Sequence, residues 1–214
     1  MSVSLISYTQ GSQNQSIQDL IAYCARVSNP TNQMNTETND KLIRYLIKNH
    51  HWSPLEMVNI CLEINTTRDI ARQMLRHRSF SFQEFSQRYA IADLGSEIRE
   101  PRLQDTKNRQ NSIEIENMDL QKEWEEKQRN IISLSEETYQ WAIEKGIAKE
   151  QARVVLPEGN TKSRLYMNGS LRSWVHYIQL RSGNGTQKEH REIALMCANA
   201  IESVFPMIME FIEQ

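Results

Sequence analysis

Arg76-His77-Arg78 is followed after a seven-residue gap by Ser86 and then by Arg88. The stretch RHRSFSFQEFSQRY, residues 76–89, gathers guanidinium groups, an imidazole, hydroxyls and a carboxylate in a chain whose formal net charge is only −2. Arginine offers a planar fork of N–H donors, and serine hydroxyls and backbone N–H groups supply short donors beside it, a combination that grips phosphate. Local positive charge without global positive charge indicates a discrete anion. A long polyanion would call for a wider basic surface.

Periodicity supplies the elements that must position these groups. Val3–Tyr8 alternates as a strand, and Ser16–Val27 places Ile17, Leu20, Ile21 and Cys24 at helical spacing before Asn29-Pro30. Asn39–Asn49 repeats the helical pattern, and the loop His50-His51-Trp52-Ser53-Pro54 follows. Val58, Ile60, Leu62 and Ile64 then alternate with polar residues, the period of a half-buried strand. Thr67–Arg78 returns to helical spacing, which predicts the basic triplet at a helix C-terminus, where the dipole favours cations. Gln73, Arg76 and His77 would share one face there, with Arg78 turned by about a hundred degrees.

Residues 93–118 are polar and aperiodic, and read as an extended surface excursion. Asp119–Lys145 reads as one long charged helix or two, with Trp124, Ile131, Leu134, Tyr139, Trp141 and Ile143 facing inward. Lys149–Val155 is a short helix before Pro157, and Lys162–Met167 a strand. Ser170–Arg181 and Gln187–Phe205 are helices on either side of Gly183-Asn184-Gly185, the last with a core face of Ile193, Leu195, Met196, Ala200, Ile201 and Val204. Few strands and many helices give an α/β (α+β) class.

At 214 residues and 39% apolar composition the chain supports one substantial core, so the expectation is a single domain over 1–214. A balanced charge speaks against a nucleic-acid-coating protein. No apolar run approaches membrane-spanning length, and residues 1–30 lack the basic-then-apolar layout of a signal peptide. The expected location is the cytoplasm, or the host cytoplasm for a viral source. Cys24, Cys61 and Cys197 are far apart, with no CxxC, and read as reduced buried thiols. No metal site is expected.

Several blocks, in order, resemble the flavin-dependent thymidylate synthases. RHR-x7-S is that family's signature. His51-Trp52-Ser53-Pro54-Leu55-Glu56, Ala71-Arg72-Gln73, Arg88-Tyr89, Ala152–Pro157 and Gly169–His176 followed by Leu180-Arg181 resemble its other blocks, as do LISYT and ARVSNP near the N-terminus. The resemblance covers most of the chain apart from 93–118. It implies a mixed sheet flanked by helices and a homotetramer. The implied reaction methylates dUMP at C5, with methylenetetrahydrofolate as one-carbon donor and FAD, reduced by NADPH, as hydride source. The cysteines lie outside any polar cluster, in keeping with a mechanism that lacks a thiol nucleophile. A cofactor carries such chemistry while the protein binds, orients and polarises.

By matched position the resemblance implies Gln73, Arg76, Glu84, Phe85, Ser86, Gln87, Arg88, Arg153 and Arg181 around dUMP. It places Ser53, Glu56, Arg76, His77, Arg78, Glu84, Arg172 and His176 at FAD. Arg181, His51 and Ser86 fall at the reaction centre, Ser86 as a donor to phosphate. Arg181 is expected to face the uracil carbonyls, where a guanidinium stabilises negative charge on the ring. Tyr89 is placed near folate, and His50 is read as a bystander. Arg172 and His176 share a helical face, whereas Arg181, nine residues beyond Arg172, lies about 180° round. That separation implies active sites shared between subunits.

The chain also departs from the family. Ser170 stands where asparagine is common, and Gly185 where many members have histidine. His190 is displaced by more than a helical turn and does not inherit that role; Gln187 or Asn184 falls in reach instead. The alternative reading is a nucleic-acid-binding module, with Phe80, Phe82, Phe85 and Tyr89 interleaving the cations as stacking platforms.

Overall fold

The computed structural model describes residues 1–12 and 14–212. Its centre is a four-stranded sheet in the order β1 (Ser2–Tyr8), β2 (Asn59–Thr67), β6 (Lys162–Ser170), β3 (Phe80–Glu84). Ile60, Leu62 and Ile64 of β2 and Leu165 and Met167 of β6 point to one face and are fully buried. Their neighbours Glu63, Asn65, Arg164 and Tyr166 line the other, where Arg164 Nε donates to Asn65 Oδ1 at 3.0 Å. Alternation thus decides which face is covered.

All three pairings are antiparallel, so the expectation of a mixed sheet is corrected. β2 and β3 do run in the same direction, joined through α3 (Arg68–Met74). β6 lies between them and is antiparallel to both, which removes the parallel ladder.

The covered face carries α6 (Leu171–Ser182) and α7 (Lys188–Glu202), with α1 (Ile17–Ala25) and α2 (Asn39–Lys48) completing the layer. Trp174, Val175, Tyr177 and Ile178 of α6 enter one core with Ile193, Ala194, Cys197 and Ile201 of α7. The larger aliphatic side chains among them contribute about 1.5–3 kcal/mol each by leaving water. Trp174 Nε1 donates to the Ile60 carbonyl at 3.0 Å and ties α6 to the sheet. In α7 the inward stripe is Ile193, Ala194, Cys197, Ala198 and Ile201; Leu195 and Met196 are only half-buried.

Three local expectations change. α3 stops at Met74, so the basic triplet lies beyond the helix in the turn leading to β3. Phe80 is pinned in the core against Trp174, ring centroids 4.8 Å apart, and the chain must unwind to reach it. Tighter turns replace the helix: Arg76 N–H donates to the Gln73 carbonyl (3.3 Å) and His77 N–H to the Met74 carbonyl (3.0 Å).

The segment 93–118 is tied down. Ser96 bridges to Thr161, and β4 (Arg102–Gln104) pairs with β5 (Ser112–Glu114) as a hairpin. Arg99 and Arg102 clasp Glu189 of α7 at 3.0 and 2.6 Å. α4 (Met118–Glu144) is a single 27-residue helix. Of its apolar residues Tyr139, Ala142 and the half-buried Ile143 face inward, whereas Leu134 is 67% exposed, Ile131 55%, Trp141 54% and Trp124 43%. The stripe is real but points away from the core.

Candidate active site

Functional groups fall on two faces of α6. On the first, α2 ends in a Schellman motif: His50 adopts φ 60°, its N–H donates to the Ile47 carbonyl (3.1 Å) and the His51 N–H to the Leu46 carbonyl (2.8 Å). His50 thus takes the left-handed position that ends α2 and turns the chain into the His51–Glu56 segment. The His51 ring stands edge-on to Tyr45 at 6.1 Å. Buried Leu55 and Val58 anchor the turn Ser53–Met57, which leaves Ser53 and Glu56 exposed. Glu56 Oε1 pairs with Arg172 Nη1, and Trp52 lies against His176 with rings 4.3 Å apart. Burial, then the nearby charges of Arg172 and His50, hold His176 below its ordinary value.

On the opposite face Arg181 Nε donates to His77 Nε2 at 3.0 Å. A guanidinium has no acceptor, so His77 must be neutral. Burial, helped by Arg181, pushes its pKa down to about 4. Gln73 sits beside this pair and donates to Gln187 Oε1 at 2.8 Å. Gln187 is thus in reach, while Asn184 Oδ1 accepts from Arg191 at 3.1 Å. Ser170 caps α6 through Oγ, which accepts from the Ser173 N–H at 3.3 Å. A cap of this kind is what a serine before a helix supplies.

The end of β3 builds a third group. Ser163 Oγ donates to Glu84 Oε1 at 2.8 Å, and Arg68 Nη1 lies 3.6 Å from the same oxygen. Burial lowers the Arg68 pKa against the pull of Glu84, with Arg72 and Arg153 adding repulsion. Ser86 Oγ accepts from the Arg88 N–H at 3.3 Å, which shapes the turn. Arg88 Nε approaches Glu150 of α5 (Lys149–Ala152) at 3.3 Å, and its guanidinium lies 5.8 Å from the Tyr89 ring centroid. Tyr89 is exposed, Phe85 half-buried and Gln87 buried. Among the described residues Arg76, Arg78 and Arg153 pair with no carboxylate, as suits groups that await an anion.

Two of the expected sets are therefore assembled differently from one another. Glu84, Ser86 and Arg88 come together through β3 and its turn. Ser53, Glu56, Arg172 and His176 lie on one face of α6, and Arg181 with His77, between Arg76 and Arg78, on the other. Sequence reasoning set His190 aside and did not single out Tyr177. His190 Nδ1 lies 3.2 Å from Gln73 Oε1, and its Nε2 3.1 Å from the Tyr177 hydroxyl. Its place on the stripe 190, 193, 194, 197 was the available signal. Neither Cys61 nor Cys197 is an activated thiol: burial raises the Cys61 thiol and drives that of Cys197, which lies near Tyr177 in the core, far up. The aromatics do not form a continuous stacking face: Phe80 is 9% exposed and packs on Trp174 and Tyr177, Phe82 and Phe85 are half-buried, and Tyr89 stands exposed.

These features define an α+β protein that presents free guanidinium groups and serine hydroxyls beside neutral imidazoles. Residues 4–207 match the family described as thymidylate synthase complementing protein (Thy1). The chain is 46% identical over 215 residues to the "Probable flavin-dependent thymidylate synthase" of Paramecium bursaria Chlorella virus 1, covering 100% of this chain and 99% of that one. It is 50% identical over 194 residues to the flavin-dependent thymidylate synthase of a Synechocystis species, covering 91% and 88%. The fold is shared with a solved UMP/dUMP methylase from Streptomyces cacaoi bound with 5-Br dUMP, with a TM-score of 0.81, 24% identity, and 98% and 93% of the two chains covered. The chain belongs to the flavin-dependent thymidylate synthase family.

Proposed function

We propose that this chain is a single catalytic domain that methylates dUMP to dTMP with methylenetetrahydrofolate, FAD and NADPH, in a homotetramer whose active sites are shared between subunits. The observation that carries the reading is the Arg181–His77 pair, which joins a residue expected at uracil to one expected at flavin.

The residues present fit both ligands. Arg76 and Arg78 are exposed and without carboxylate partners, as a pyrophosphate requires, and Arg172, His176, Ser53 and Glu56 offer a second set of polar groups. Ser86, Arg88 and Arg153 would hold the nucleotide phosphate. Charge-assisted hydrogen bonds contribute about 1.5–3 kcal/mol each, which makes the phosphate the anchor. When bound, the flavin supplies the reducing hydride. Arg181 keeps its Nη N–H groups for the uracil carbonyls because its Nε is held by neutral His77. Directed there, they stabilise negative charge on the ring and make C5 a better nucleophile, with no thiol at C6. His51 stands against Tyr45 at the α2 terminus, and His50 lies beside Trp52 with rings 6.3 Å apart; folate and flavin are expected at this end of the site.

The outward stripe of α4 supports assembly. Leu120, Lys127, Leu134 and Trp141 recur every seven residues, with Trp124, Ile131 and Thr138 interleaved, the pattern of a helix–helix seam. A second copy of the chain is the occupant that would also bring the two faces of α6 into one site.

The purified protein should be yellow, be bleached by NADPH, and convert dUMP to dTMP in the presence of methylenetetrahydrofolate. A colourless protein that takes up no FAD but binds oligonucleotides with steep salt dependence would overturn the proposal.

A further inference from the structure

A continuous chain of hydrogen bonds runs behind Gln73, and its direction is fixed from one end. Glu189, 6% exposed, is clasped by Arg99 and Arg102. Burial pushes its carboxyl up, but its own backbone N–H, the Gln187 amide and the two arginines outweigh this and hold it below the ordinary value. An ionised carboxylate only accepts. Gln187 must therefore turn its NH₂ to Glu189 Oε2 (2.9 Å), which leaves Gln187 Oε1 to accept from Gln73 Nε2 (2.8 Å). Gln73 Oε1 then faces His190 Nδ1 at 3.2 Å and needs a donor there. That selects the Nδ1–H tautomer of His190, so Nε2 accepts from the Tyr177 hydroxyl at 3.1 Å.

The interior reinforces the tautomer. His190 is 0% exposed, and burial, with the nearby charge of Arg181, pushes its pKa down to about 3, so the ring is neutral and one of its nitrogens must accept. Reversing the Gln73 amide would set NH₂ against Nδ1–H and oxygen against oxygen. Rotating His190 and Gln187 to suit would end with a carbonyl oxygen facing the Glu189 carboxylate. Gln187 is exposed, but Glu189 and His190 at the two ends of the relay are buried, and a mismatch at either of them is costly, which favours one orientation of the amide.

We infer that His190 is a positioning residue for nucleotide binding: with Tyr177, Gln187 and Glu189 it locks the Gln73 amide so that its remaining N–H points to an acceptor oxygen of the bound nucleotide. This rests on the proposed placement of dUMP beside Gln73. A uridine monophosphate is rich in acceptors, in its phosphate and ring carbonyls, so a donor of fixed direction suits it.

A mutant cycle on the FAD-loaded enzyme tests the inference, with dUMP affinity read by calorimetry and KM and kcat read separately. His190→Leu should weaken dUMP about tenfold, mainly through KM, the loss of one hydrogen bond's alignment. His190→Asn, which keeps a donor at the Nδ1 position, should recover most of it. In a Gln73→Ala background His190→Leu should add nothing, because its effect passes through that amide. Additive losses, or parental affinity in His190→Leu, would overturn the inference. Should His190→Leu fail to fold, Tyr177→Phe takes its place in the cycle with the same expected non-additivity. A parent enzyme that binds no dUMP would instead sink the proposed function.

Discussion

Arg181 and His77 are joined by a single N–H···N bond of 3.0 Å that requires the imidazole to be uncharged. His77 titrates at about 4 and His190 at about 3, whereas both titrate near 6.5 when unfolded. Above pH 6.5 neither state carries the proton, and stability is on its plateau. As pH falls from 6.5 towards 4 the unfolded chain takes up protons that the folded chain refuses, so stability is lost. Each unit of depression corresponds to about 1.4 kcal/mol, which gives a loss of a few kcal/mol by pH 4. Urea midpoints should decline between pH 6.5 and 5, above the range where carboxylates titrate. His190→Asn should flatten that decline. A midpoint constant across this window would contradict neutral, buried imidazoles.

Gly169 faces Phe80 across the β6–β3 ladder, and a Cβ added there would lie 2.4 Å from Phe80 Cδ1. The ring cannot retreat easily, being held by Trp174 and Tyr177. Gly169→Ala should destabilise the fold by about 1–3 kcal/mol, the usual range for overpacking. Because Phe80 follows Ser79 directly, the same push moves the Arg76–Arg78 turn. Thermal denaturation and FAD titration should both show a loss; a variant with parental Tm and parental FAD affinity would contradict the packing argument.

Arg153 and Arg88 allow binding to be separated from stability. Arg153 has no carboxylate partner among the described residues, so Arg153→Ala should leave the unfolding free energy within about 0.5 kcal/mol of the parent, as for other surface changes. Its dUMP affinity should fall by about tenfold or more, the loss of one charge-assisted bond to phosphate. Arg88→Ala should weaken dUMP similarly, its exposed pair with Glu150 contributing little to stability. Unchanged affinity in both variants would remove the phosphate from this cluster.

The sequence revealed what is local and concealed what depends on distant partners. RHR-x7-S, the His51–Glu56 block and the Arg172–Arg181 helix were legible because each is contiguous and its residue types carry its chemistry. The end of α3 was not, because Thr67–Arg78 keeps helical spacing throughout and the unwinding comes from Phe80 docking on Trp174. The clasp of Glu189 by Arg99 and Arg102 has no local signal: the partners are 90 and 87 residues apart. Period found Tyr139 and Ile143, which do pack inward, but not that Gln128 and Ala142 would share that face while Trp124, Ile131, Leu134 and Trp141 point outward. His190 was set aside for its distance from the family's histidine position, although its place on the buried stripe of α7 was visible.

That outward stripe makes a direct prediction about mass. Leu134 and Ile131 are more than half exposed in the protomer, so Leu134→Glu with Ile131→Lys should leave the helical content and fold intact. Charges placed in a helix–helix seam oppose its burial. Sedimentation should therefore show a smaller species than the parent at equal concentration. Parental mass in the double variant would show that α4 covers nothing in the assembly.

The split of the flavin set is the last relationship to test. Arg172 pairs with Glu56 and Arg181 with His77, about 180° apart on α6, so one ligand spanning both needs two chains. Arg172→Ala and Arg181→Ala should each abolish most activity alone. Co-expressed in equal amounts, they form mixed assemblies in which about a quarter of shared sites draw both intact arginines from different subunits, given random pairing. Activity should return to about that fraction of the parent, with both chains confirmed in the same particle by differential tagging. If mixed particles form and remain inactive, each site is complete within one subunit.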